Sequence, residues 1–213
     1  MDKPGPRESI DVSVRELLTA LSSADVAHGA VSAAAITGAL GTSLLLMVAS
    51  LPKTRSDSAS DRTALLDVSS ALTRIQEELL ETIETETVVK IYAARNLPQG
   101  GAAQRADREA AIQLALRAAA DVPLEVIRLC ASGMRHAQTV AERSTRAAAA
   151  EVRLAVSLVR VGFEGARTNL ETRLGSLTDP AHTAGIVDEI ARLTEDVQSA
   201  AHAAELSSQV PPA

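Results

Sequence analysis

Apolar positions recur on a helical period along almost the whole chain, and the period is interrupted by prolines, glycines and polar runs. Ile10 to Leu21 places Val12, Val14, Leu17, Leu18 and Leu21 on one face, which predicts a short amphipathic helix. Ser22, Ser23 and Asp25 are available to cap the next helix. Ala27 to Leu51 then reads AHGAVSAAAITGALGTSLLLMVASL, with no formal charge between Asp25 and Lys53. That run is long enough to span a bilayer. Its glycines, serines and threonines weaken insertion, no Trp/Tyr belt flanks it and no second span is present. The expected role is therefore the central buried helix of a helical protein, apolar all round because it is surrounded. Gly29, Ala30, Ser32, Ala33, Ala34, Ala35, Gly38, Ala39 and Gly41 leave room for neighbouring backbones to come close.

Pro52 ends that helix and residues 53–61 form a polar loop. From Arg62 to about Ala94, Leu65, Val68, Leu72, Ile75, Leu79, Ile83, Val88 and Ile91 keep the helical period. Asn96 to Gly101 reads as a loop. An Ala-rich helix from Arg108 is expected to break at Pro123, with a further helix from Leu124 to about His136. A long helix from Val140 to Leu174 and a closing one through Ile186, Ile190, Leu193 and Val197 to about Leu206 complete the chain, joined at Asp179-Pro180. No stretch alternates on the period of a strand. The expected fold is all-α, a single-domain antiparallel helical bundle around a buried small-residue helix. Residues 1–9 form a polar lead, 10–206 the domain and 207–213 a loose tail.

Composition narrows the function. With 213 residues, 46% hydrophobic, one domain with a real core is expected. Aromatics are only 1%, so the core is built from Ala, Leu, Val and Ile and offers a ligand little stacking surface. A net charge of −6 and the lack of aromatics argue against a nucleic-acid partner. The single cysteine, Cys130, excludes an internal disulfide and sits in an apolar helical pattern, where core packing is the simpler role. His28, His136, His182 and His202 have no second His or Cys at ligand spacing, and no phosphate loop or nucleophile elbow occurs, so no metal or cofactor is expected. The polar N-terminus, MDKPGPRES, lacks an apolar signal core, and the expected location is the cytoplasm, with no membrane partner.

Two charge patterns remain. Glu77, Glu81 and Glu84 share a helical face, which reads either as a solvated acidic face or as a carboxylate turned inward for acid/base work. Arg146, Arg153, Arg160 and Arg167 recur every seven residues, a stripe that is solvated, paired with acids on a neighbouring helix, or an anion-binding or partner face.

Val26-Ala27-His28-Gly29-Ala30-Val31-Ser32, the small-residue run to Gly41 and Met47-Val48-Ala49 resemble the opening of the cyclodeaminase/cyclohydrolase family, where a Pro-Thr-Pro-Gly-Gly-Gly-Ser turn precedes a small-residue helix and Met-Val-Ala. Leu97-Pro98, the run Arg108 to Leu124 with its Val122-Pro123-Leu124, and Asn169-Leu170 extend the resemblance over roughly Val14 to Leu174. The departures are equally specific. His28 stands for the last proline, only Gly29 remains of three glycines, the family's Ser-Asp falls at Arg146-Ala147 (Ser144-Thr145 if the register slips), its Gly-Asn at Val140-Ala141, and an earlier Asn at Gly165. The family's acidic residue falls at Glu84, with Glu86 the alternative.

The resemblance implies chemistry on an amidine-like centre, adding water or expelling ammonia. An unperturbed imidazole titrates near neutrality, which suits proton transfer, and His28 precedes Gly29 at a helix start, where backbone N–H groups favour an anion. His28 and Glu84 are the candidate catalytic groups, and Gly29, Ser32 and Arg108 the candidate substrate contacts. Because the family turn and acid are rewritten, the leading expectation is a divergent enzyme that opens or closes a ring on a small non-folate substrate. A non-catalytic scaffold and retained folate cyclohydrolase or cyclodeaminase activity are the alternatives. The small-residue helix and the resemblance make a homodimer the expected assembly.

Overall fold

The computed structural model of the protein describes residues 13–22, 29–82, 93–98 and 100–209. The helices are α1 Val14–Ser22, α2 Ala30–Ala49, α3 Ala59–Glu81, α4 Ala102–Arg143, α5 Ala149–Leu174 and α6 Pro180–Ser207, with a 3-10 turn at Arg146–Ala148. Among the described residues there is no strand, only an isolated bridge between Thr54 and Ser144. The all-α expectation holds.

Small residues let α2 approach its neighbours closely, and contacts along its length set their directions. A methyl group added at Gly162 would lie 2.8 Å from the Ala34 carbonyl oxygen and 2.9 Å from the Gly38 nitrogen. One added at Gly41 would lie 2.8 Å from the Ala155 carbonyl oxygen. Thus α2 and α5 run antiparallel at near backbone contact. Gly38 also meets the Cys130 sulfur of α4 and Leu79 of α3, while Gln76 of α3 donates to the Ser43 hydroxyl. The end of α3 therefore lies beside the start of α2. Outside this group, α6 packs on α4 and α5 through Ile186, Ile190, Leu193 and Val197.

The central helix is not surrounded on every side, as its composition suggested. Leu40 is 53% exposed and Met47 47% exposed, because α3, α4 and α5 cover only part of the cylinder. By length and composition α2 could cross a membrane, but half of it is buried inside the bundle, as in the core helix of a soluble protein.

Along α4, two expected boundaries differ from the observed ones. Helix α4 runs unbroken through Pro123, where the sequence predicts a break. Proline has no N–H to give the carbonyl four residues back, which is that of Ala119. Arg173 of α5 donates to that oxygen instead, at 3.1 Å, so the helix continues without a buried unpaired acceptor. The real break comes at Ser144 instead of near His136. Ser144 is extended, the Thr145 hydroxyl caps the 3-10 turn, and the 52–58 loop seals the gap. Arg55 donates its amide to the Arg143 carbonyl and its guanidinium to the carbonyls of Ser144, Ala141 and Ser207. Buried Asp61 completes this end: the Ser56 hydroxyl and amide, with Arg143, hold its carboxyl below the usual carboxylate range.

Helix α3 starts at Ala59, capped by Ser58, inside the expected 53–61 loop, and ends at Glu81; residues 83–92 of the run expected to reach Ala94 lie outside the described residues. The other elements agree with the pattern of the sequence. Asp179 caps α6 by accepting from Ala181 and His182, with Pro180 in the first turn. The helix ends at Ser207, and Ser208 is buried against it. None of the residues of α1 is buried. Glu77, Glu78 and Glu81 are exposed, as a solvated acidic face requires. In the arginine stripe, Arg160 pairs with Glu205 of α6 and Arg167 with Glu164 and Glu171.

Glycine packing and the Pro123 device each make a prediction. Gly162→Ala is expected to lower unfolding free energy by about 1–3 kcal/mol in urea melts, because the new methyl meets backbone. Gly185→Ala, in α6 with nothing within 4 Å, is expected to raise it by up to about 1 kcal/mol. Arg173→Met is expected to cost about 1–3 kcal/mol, because it leaves the Ala119 carbonyl without a donor. In a Pro123→Ala background, which restores the helical donor, that cost should fall measurably; equal costs in both backgrounds would refute the account.

Candidate active site

The start of α2, the end of α3, the middle of α4, the second half of α5 and the first turns of α6 meet at one end of the bundle. Gly29 is the N-cap of α2, in an extended conformation at φ −92° and ψ −168°, and its carbonyl accepts from Ala33 at 3.2 Å. Gly29 has no side chain with which to cap this helix, and the leading N–H groups form the positive end of the helix dipole, where an anion is favoured. Ser32, one turn in, is 8% exposed. The expected catalytic groups His28 and Glu84, and the alternative Glu86, lie outside the described residues, flanking Gly29 and the last described residue after α3, Thr82.

Two cavities open at this end. A cleft of about 810 Å³ lies between the end of α3, α4 and α6, lined by Thr82, Val122, Leu124, Glu125, Arg128, His182 and Glu189 among others. Arg128 donates Nε and Nη2 to the two carboxylate oxygens of Glu189 at 2.7 and 2.8 Å and reaches Glu125 at 3.3 Å. Those hydrogen bonds hold the Glu189 carboxyl below its ordinary value and raise the guanidinium. With Asp121 also in its wall, the cleft has three carboxylates to one guanidinium, a lining that favours a cationic or amine-bearing group. The Nε2 of His182 is buried without a hydrogen-bond partner.

A second groove, about 600 Å³, runs along α5 beside Ala30 and is lined by Val161, Gly165, Thr168, Asn169 and Thr172 among others. The Asn169 Oδ1 is buried and unpartnered there.

Not every candidate converges on this end. Arg108 donates Nε and Nη2 to the Arg95 carbonyl at 3.1 and 2.9 Å. Fourteen helical residues, about 21 Å, separate it from Val122. Arg146-Ala147 and Ser144-Thr145 lie at the opposite end, because α5 runs antiparallel to α2, whose twenty residues span about 30 Å. Cys130 is buried in the core, where burial pushes its thiol up to about 12. Among the described residues no cluster of His, Cys, Asp or Glu could hold a metal ion.

Residue type alone does not mark Asn169 or His182 as functional. Asn169 is half of the Asn-Leu landmark, which is a signal. His182 sits after an Asp-Pro helix start, where an exposed position is the ordinary expectation.

The formiminotransferase-cyclodeaminase family model matches residues 13–192. This chain belongs to that family. It is 30% identical over 172 residues to the methenyltetrahydrofolate cyclohydrolase of Methylorubrum extorquens, covering 79% of this chain and 82% of that protein. The fold matches the formiminotetrahydrofolate cyclodeaminase of Thermotoga maritima with a TM-score of 0.82, covering 92% of this chain and 96% of the other, at 17% identity. The family match reaches α6, beyond the Leu174 limit legible in the sequence, so the helix that supplies His182 and Glu189 to the cleft belongs to the family fold.

Cys130 gives a direct check on the core beside the site. In the native protein it should not react with a thiol reagent at pH 8 on a minutes timescale, and it should react fully once the chain is unfolded in denaturant.

Proposed function

We propose that this chain is an enzyme acting on a one-carbon folate, and that it adds water to the cyclic amidinium of a methenyl-type tetrahydrofolate. The observation that carries this reading is the 30% identity, over most of both chains, to a methenyltetrahydrofolate cyclohydrolase. Closure of a formimino group with loss of ammonia, the activity for which the Thermotoga protein is named, is the second reading and rests on a likeness of fold. No observation favours a non-folate substrate or a purely structural role over these.

The chemistry suits His28 and Glu84, the groups that the resemblance and residue chemistry put forward. The amidinium carbon is electrophilic and its charge is shared by two nitrogens. A water that gives its proton to the His28 imidazole adds its oxygen to that carbon and forms a neutral carbinolamine. Breaking one C–N bond then needs a proton at the leaving nitrogen, which the Glu84 carboxyl or the imidazolium supplies; as the formyl C=O forms, the carbinol hydroxyl gives its proton to the base just vacated, and one proton leaves to solvent overall. The carboxylate-rich cleft favours the cationic substrate over its neutral product, and the glycine-capped start of α2 offers backbone donors to a carboxylate of the folate tail. Both roles use the end of the bundle where the family landmarks Gly29, Ser32, Val122 and Leu124 gather.

Hydrolysis of methenyltetrahydrofolate, followed by loss of its near-ultraviolet absorbance, tests the reading. The wild type should accelerate the reaction, and His28→Ala and Glu84→Gln should each lower kcat about 10²-fold or more with the fold retained by circular dichroism. Absence of both turnover and folate binding in the wild type would overturn it.

A further inference from the structure

We propose that the cleft between α4 and α6 holds the pterin ring of the folate, with Glu125 accepting from the N–H groups of its 2-amino-4-oxo pyrimidine edge and Gly185 leaving room for the flat ring. The inference rests on the folate reading and adds to it the residues that select and seat the ring. Two ion pairs fix how the helices face each other. Arg117 of α4 meets Asp179 of α6, 62 residues on, at 3.0 Å, and Arg128 meets Glu189, 61 residues on, at 2.7 Å. The helices therefore run parallel, and Gly185 and Ile186 stand about level with Leu124 and Glu125. All four line the cleft of about 810 Å³, a size in the range of small-molecule sites.

Each wall has a feature that packing of the chain does not explain. Gly185 is an interior residue of α6, where glycine is less favourable than alanine. A methyl group added there would meet nothing within 4 Å, so no neighbouring helix requires the glycine, and what it preserves is open space in the cleft. One turn earlier, the Nε2 of His182 is buried without a hydrogen-bond partner. On the α4 wall, the three carboxylates differ. Both oxygens of Glu189 accept from Arg128, and Asp121 is exposed at the rim. Glu125 accepts from Arg128 through Oε2 alone, at 3.3 Å, and its Oε1 has no partner among the described residues. A carboxylate is an acceptor only, so a free one selects a ligand edge with N–H donors. The 2-amino group and N3–H of a pterin are two such donors side by side. The ring carbonyl next to them is an acceptor, which the His182 Nε2–H serves once the imidazole turns about its side-chain bonds. Val122, Leu124 and Ile186 give the ring faces aliphatic walls, in a chain with almost no aromatic residue to stack on. Thr82 of α3 lines the same cleft, two residues before the Glu84 that the folate reading assigns to the leaving nitrogen.

Binding of tetrahydropterin and of its 2-desamino counterpart to the full chain, titrated by saturation-transfer NMR without oxygen, tests the inference. Neither probe carries a one-carbon unit or a tail, so the readout does not depend on turnover. The wild type should bind tetrahydropterin about tenfold or more tightly than the 2-desamino ring, and Glu125→Gln should bind the two within about twofold of each other. Gly185→Leu should abolish binding while the melting temperature holds or rises, because leucine favours the helix and misfolding would lower it. Glu142→Gln, at the closed end of α4, should change neither affinity. In turnover of methenyltetrahydrofolate, Glu125→Gln should raise KM about tenfold or more with kcat within about threefold. Ring binding in this pattern without turnover would remove the hydrolysis and support the inference. A wild type that binds neither ring or does not distinguish them, a Glu125→Gln protein that distinguishes them as the wild type does, or a Gly185→Leu protein that binds normally would overturn it, whatever the turnover.

Discussion

The near backbone contact between α2 and α5 is the constraint on which the rest of the structure depends. A methyl group at Gly162 would meet the Ala34 carbonyl oxygen at 2.8 Å, and one at Gly41 would meet that of Ala155 at the same distance. Contacts so close exist only where small residues on both helices coincide, so they set the register of α2 against α5 as well as the spacing. Register in turn decides which residues lie beside the start of α2. With Gly162 against Gly38, Asn169 falls beside Ala30; a slip of one turn would move it away by about 5 Å. The scarcity of aromatics reflects the same requirement, since helices this close leave few spaces for a ring. Phe163, the one phenylalanine, fills one on the core side of α5 and is fully buried.

The two ends of the bundle are finished differently. At the end where α2 stops, Arg55 donates to carbonyls of α4, the turn after it and α6, and Asp61 holds the 52–58 loop through Ser56 and α4 through Arg143. All of these partners belong to the chain itself. The Thr54 hydroxyl and one Glu151 oxygen are unpaired there, but the space beside Arg55 and Ser144 is only about 10 Å³, too small for a substrate. At the end where α2 starts, the N-cap is a glycine with no side chain, Asn169 and His182 each carry a buried unpaired atom, and two cavities open beside them. Unpaired buried polar atoms cost stability, and where a large cavity adjoins them they tend to mark a place kept for a ligand. Structural and chemical duties are thus divided between the ends.

Much of the fold was legible because it rests on local signals. The period-3.6 apolar positions, Asp179-Pro180 at the start of α6 and the glycine-rich face of α2 each appear in the structure as the pattern predicts. The structure departs from the pattern where a distant residue intervenes. Pro123 signals a break, but Arg173, fifty residues on, supplies the donor that lets α4 pass through it. The true break at Ser144 carried a weak local sign, the Ser-Thr pair, and depends on Arg55. Uniform hydrophobicity implied a fully enclosed α2, since composition alone cannot tell a surrounded helix from one with an unpartnered face. The site was less legible than the fold. Gly29 and Ser32 lie where a site could form, Arg108 lies about 21 Å along α4 from Val122, and His182 enters through a helix that the resemblance did not reach.

The two ends also differ in which landmarks of the resemblance they carry. Val140-Ala141 and Arg146-Ala147, the positions that the resemblance sets against the family's Gly-Asn and Ser-Asp, lie at the closed end, where backbone groups make the contacts: the Ala141 carbonyl accepts from Arg55, and the Ala147 amide donates to the Thr145 hydroxyl. Positions retained from the family, Gly29, Ser32, Val122, Leu124 and Asn169, lie at the open end instead. A chain that had abandoned its chemistry would be expected to fill the open end with apolar side chains, because doing so would remove the cost of two unpaired polar atoms. It has not: the open end keeps both cavities and both unpaired atoms.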